Sequence, residues 1–200
     1  MMTLDEVLNQ WIPYRLQAIE TLQFAWEWIG ESEEPRQVDV IVDGKLKLRG
    51  NVAAIANPMI EVGIIHARAL LEFLGLCAKA GKLSQVSNRR PDDIAVEQFS
   101  TSATPLSIVK PSDALSAYPG PQEEAEKALV AIFEWANKEL AHLTTGALSD
   151  DFTEQHLDIA CRGIPVLLHN HLYAKLGKAV PKPPSTVSKV TSESSKSLRD

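Results

Sequence analysis

The stretch "WANKELAHLT", residues 135 to 144, sets an Asn, a Lys and a His into the last turns of an apolar-striped helix. An imidazole titrates near neutral pH and can give or take a proton, while an amide orients a neighbour and an ammonium group answers developing negative charge. Asn137, Lys138 and His142 are therefore candidates for acid–base chemistry. The same residues also fit a plain helix end, where a cation near the C-terminus is favourable by about 0.3–1 kcal/mol. A second polar set lies in the most apolar part of the chain. Glu61, Arg68 and Glu72 fall on one edge of a helical projection, with Arg68 and Glu72 one turn apart, and His66 points to another side. Burial of Arg68 would demand an acid beside it, Glu61 or Glu72. His66 is either a core imidazole bonded to a backbone carbonyl or a catalytic group.

The elements that must hold these residues can be drawn from periodicity. Ile60, Ile64, Ala67, Leu71, Leu74 and Ala78 form one stripe, which predicts a central helix from about 52 to 81. Ala125, Leu129, Ile132, Phe133, Ala136, Leu140 and Leu143 form another, predicting a helix over 121–145 with Asn137 and His142 off the buried side. Helices are also expected over 13–29, with Pro13 in the first turn, and over 151–177, capped by Asp150 or Asp151 and bent at Pro165. Thr3 and Glu6 have capping-box spacing. Only "VDVIVDGKLKLRG" changes to a period of two, and its Asp43-Gly44 supplies the turn of a β-hairpin at 38–49. The hairpin must lie on the helices or pair with a second copy of itself. The expected fold is thus all-α: a bundle of about four to five main helices with one small β-hairpin insertion, in a single domain over 1–178. Residues 82–120 form a long loop with a short helix started by Asp92 or Asp93 and running to about Phe99, and 179–200 form a disordered basic tail.

Composition excludes several functions. The chain of 200 residues has a formal charge of −6, and Lys175, Lys178, Lys182, Lys189, Lys196 and Arg199 make its end basic, so the body is more acidic still. That argues against broad binding to nucleic-acid backbones. Cys77 and Cys161, each in an apolar helical pattern, suggest free buried thiols rather than a disulfide or a metal site. His169 and His171 are two apart and face different sides of a helix, a poor metal pair. Neither cofactor nor metal is expected. Acids replace the basic residues of a secretory leader and no uninterrupted apolar run reaches membrane length, so the expected setting is the cytoplasm, away from membranes.

"ANKELAHLT", with "HARALLEFLG" in the central helix and "RRPDDIAVEQF" after it, resembles bacterial proteins with a HEPN-like helical bundle, similar to those of some abortive-infection proteins. The likeness spans residues 55–175. In catalytic members an Arg, a polar residue and a later His on one helix meet their copies across a homodimer to make a metal-independent ribonuclease site. The resemblance places the polar residue at Asn137 and the His at His142, and the Arg falls on Ala136. Lys138 or Arg68 would then have to supply the cation. What it implies is a homodimer in bacterial stress or phage defence, with an RNA or a protein as partner. The Ala136 departure favours a non-catalytic protein acting through dimerisation or partner binding, with the ribonuclease as the alternative.

Overall fold

A computed structural model describes residues 2–29, 36–118, 120–137 and 153–182. The described part is mostly helical, carries two small antiparallel hairpins and keeps its core between the helices. Helix α1 (Leu4–Glu6) opens with the expected capping box: Glu6 N–H donates to Thr3 Oγ1 at 3.2 Å, and Thr3 N–H donates to Glu6 Oε2 at 2.8 Å. A π-helical turn (Val7–Trp11) follows, and α2 (Ile12–Ile29) begins with Pro13 in its first turn. Proline there lacks the amide hydrogen that would continue the ladder, so the local pattern widens.

Helix α3 (Ala53–Leu74) is the centre of the bundle, burying Ala56, Ile60, Ile64, Ala67, Leu70, Leu71 and Leu74. Gly63 lets α2 come very close, since a Cβ there would run into the side chain of Leu22. Glu61, Arg68 and Glu72 interrupt α3, which among the described residues is nonetheless long and apolar enough, by length and composition, to cross a membrane. Helix α2 packs chiefly on α3, while α5 (Gln122–Trp135) packs on α6 (Glu154–Leu168), and both of these also touch α3. The α5 stripe is as expected through Ala136, and Leu140 and Leu143 lie outside the described residues. So do Asp150 and Asp151; the cap described for α6 is Thr153, whose N–H donates to His156 Nδ1 at 3.0 Å. A π-helical turn (His169–Tyr173) continues α6, and the packed chain reaches Val180.

The central helix ends earlier than its apolar stripe predicts. Gly75 takes φ 92°, a left-handed cap, and strands β3 (Leu76–Lys79) and β4 (Lys82–Gln85) follow as a hairpin. A Cβ at Gly75 would lie 2.5 Å from Ile108 Cβ, so glycine serves both the cap and the packing. Cys77 consequently sits half-buried in a strand, not in a helix, whereas Cys161 is buried in α6 as expected. The hairpin at 38–49 is therefore not the only sheet. Its strands, β1 (Gln37–Val42) and β2 (Lys45–Asn51), pair around Asp43-Gly44. The stretch 82–120 is also more structured than a loop, holding β4, a 3₁₀ turn (Val96–Phe99) capped at Ala95, and α4 (Pro111–Ser116).

Candidate functional site

Arg68 and Glu72 stand one helical turn apart on α3, and Arg68 Nε donates to Glu72 Oε1 at 3.0 Å. Arg68 Nη1 donates to Asn137 Oδ1 at 2.5 Å. Asn137 sits just past the end of α5, in a π-type turn at Ala136 and Asn137. The partner of Arg68 is thus Glu72 and not Glu61, which stays exposed. Nor is this a buried pair: the Arg68 and Glu72 side chains keep 31% and 43% of their accessible surface. Ala136, where the resemblance would want an arginine, has none of its surface exposed. Lys138 and His142 lie outside the described residues.

His66 is half-buried and turned toward α2, where its Nδ1 lies 2.8 Å from Arg15 Nη1 and its ring meets Tyr14 edge-on at 5.3 Å. Guanidinium can only donate, so Nδ1 accepts and the ring is neutral in this arrangement. Burial, reinforced by the Arg15 charge, holds the imidazole below its ordinary pKa. Among the groups bonded to Arg68 and Asn137, His66 has no part.

Two of the three segments that carry the resemblance, residues 66–75 and 89–99, line one place, and of the third only Ala136 and Asn137 are among the described residues. A cleft of about 650 Å³ opens beside Arg68 and Glu72, with Lys79 on one wall and Arg89, Arg90 and Asp93 on another. Phe73 and Phe99 meet edge-on at 5.8 Å and fasten the second segment to α3. Arg89 Nη1 donates to Glu97 Oε1 at 2.6 Å, and its Nη2 donates at 3.2 Å to the Glu72 carbonyl, which also accepts the Gly75 N–H of the helix cap. Arg90 N–H donates to Asp93 Oδ2 at 2.9 Å, shaping the far wall, and Lys79 Nζ donates to Ser87 Oγ at 3.1 Å. Cations outnumber carboxylates in this lining. Burial raises the Cys77 thiol, keeping it protonated. Among the described residues no group of His, Cys, Asp and Glu could hold a metal ion.

Sequence patterns pointed to Arg68 and Asn137 but missed Lys79, Arg89, Arg90 and Asp93 as lining. The run "RRPDDIAVEQF" was the available signal, and what hid its charges was the β3–β4 hairpin concealed in an apparent helix. No family model matches the chain, and no curated protein or solved structure matches it.

Proposed function

We propose that the protein is a homodimer that works by binding rather than by catalysis, with the polar cleft around Arg68 as its recognition surface. One observation carries this: the Arg68 guanidinium is already engaged by a carboxylate and an amide, while the position of the family's arginine is a core alanine. A cation neutralised by Glu72 is poorly placed to stabilise a phosphorane, which needs donors free to meet new charge. A place in bacterial stress or phage defence belongs to the same proposal and rests on the resemblance alone.

A metal-independent ribonuclease is the second reading, favoured by the reach of Arg68 to Asn137 from a different helix, which returns a cation to the motif. His142 would then serve as general acid or base, Asn137 would orient, and Arg68 or Lys138 would supply charge. Purified full-length protein incubated with single-stranded and structured RNA, with and without chelator, separates the two. The expected result is no cleavage above that of His142→Ala. Cleavage that persists in chelator and is abolished by His142→Ala would overturn the binding proposal.

A further inference from the structure

The cleft beside Arg68 has a neighbour. A second hollow of about 280 Å³ adjoins it, and Phe73, Asp93 and Ile94 line both. The far side of this hollow is mainly apolar, made by Met2, Val7, Trp11 and Ile12, and Trp11 keeps 42% of its surface open to an incoming group. Arg15 also borders it, but its guanidinium is taken by His66 Nδ1 at 2.8 Å. A charged compartment and an apolar one therefore share a single wall.

In the charged compartment most of the charge is already answered. Arg68 is paired with Glu72 at 3.0 Å and Arg89 with Glu97 at 2.6 Å. Lys79 and Arg90 are both exposed and have no acidic partner among the described residues. The Lys79 ammonium donates to the neutral Ser87 hydroxyl at 3.1 Å, which holds it beside the segment that carries Arg90. Asp93 is the one lining carboxylate outside an ion pair, and its Oδ2 accepts the Arg90 N–H. Two free cations against one free acid leave a local surplus of a single positive charge.

That surplus selects the ligand. A nucleic-acid strand brings a phosphate with every nucleotide and needs a track of cations. Beyond Lys79 and Arg90 such a strand would meet Asp93 and then Asp92, which lines the second hollow. An extended peptide suits the same path: one carboxylate faces Lys79 and Arg90, backbone N–H groups face Asp93, and an apolar side chain enters beside Trp11. Side chains on one face of an extended chain lie two residues and roughly 7 Å apart, at 3.3 Å per residue, a step that suits two compartments sharing a wall. Resting on the binding reading above, we propose that the cleft and the hollow together are one site for a short segment of a partner protein, in which an acidic residue lies about two positions from a large apolar one.

The test is fluorescence anisotropy on full-length protein with fluorescein-labelled synthetic peptide pools. Each pool fixes a Glu and, at one, two or three positions to either side of it, a Leu, with Gly, Ser and Asn elsewhere. Saturable binding is expected, strongest at two-position spacing, with a loss of about fivefold when the peptide Glu is replaced by Gln and about tenfold when its Leu is replaced by Gly. These peptide changes leave the protein's fold untouched. Lys79→Ala with Arg90→Ala should weaken the Glu pools and not the Gln controls, whereas Trp11→Ala should weaken the Leu pools and not the Gly controls, each with an unchanged circular dichroism spectrum. No saturable binding of any pool up to about 1 mM overturns the inference. Binding indifferent to Lys79, Arg90 and Trp11 overturns it too, because the peptide then sits elsewhere. A labelled RNA strand that binds in place of the peptides, is lost in the Lys79→Ala, Arg90→Ala variant and is not cleaved overturns the peptide while the cleft stands as a recognition surface. Cleavage of that strand, dependent on His142, overturns the binding reading as well.

Discussion

Arg68 and Asn137 are joined by a 2.5 Å hydrogen bond across 69 positions of sequence, tying the middle of α3 to the end of α5. A charged donor on an amide acceptor is stronger than a neutral pair, yet this one lies at the surface. Arg68→Ala is therefore expected to cost about 1 kcal/mol, well below the roughly 3–5 kcal/mol of a broken buried ion pair. Asn137→Ala should cost less, and the double variant should show a coupling of about 0.5–1.5 kcal/mol. Urea unfolding of the four proteins measures it. Strict additivity would show that the contact does not stabilise the fold.

Protonating His66 would turn its acceptor Nδ1 into a donor facing the Arg15 guanidinium. Because burial and Arg15 lower its folded-state pKa, the unfolded chain binds this proton more readily than the native one. Stability is then fully present above the unfolded imidazole value of about 6.5 and falls as pH drops toward the lower folded value. His171 is shifted the same way, by burial first and by Lys175 next. The melting temperature should decline between pH 7 and pH 5. His66→Gln should flatten part of that decline and His171→Gln another part. An unchanged slope in both variants would remove these two residues as its cause.

Local rules made much of the fold legible: the Thr3–Glu6 box, the Asp43-Gly44 turn and the α5 stripe each follow from neighbouring residues alone. The β3–β4 hairpin did not, because Cys77 and Ala78 continue the helical period past Gly75 and the turn is Ala80-Gly81, without the usual Asn or Asp. Ala80 pays for that with φ 51°, a region where alanine is strained and asparagine is tolerated. The cleft was hidden for a different reason: Arg68–Asn137 and Phe73–Phe99 are tertiary contacts that no spacing announces. Ala80→Asn should accordingly raise stability by about 0.5–1 kcal/mol in urea unfolding. A loss of stability would mean that the turn is held by something other than its own backbone preference.

The Tyr173 hydroxyl, wholly buried, donates to the Leu8 carbonyl at 2.6 Å and fastens the end of α6 to the start of the chain. Leu8 needs that donor for a reason written in the sequence. In a π-helical turn its carbonyl would take the N–H five residues on, which is Pro13 and has none, while the Ile12 N–H is given to the Val7 carbonyl. Tyr173→Phe thus strands a buried acceptor, and the expected loss is about 1–3 kcal/mol. Pro13→Ala returns an N–H to the turn, so Tyr173→Phe should be less damaging in the Pro13→Ala background than in the wild type. Thermal melts of the four proteins decide this. Equal losses in the two backgrounds would mean that Pro13 is not what leaves Leu8 dependent on the tyrosine.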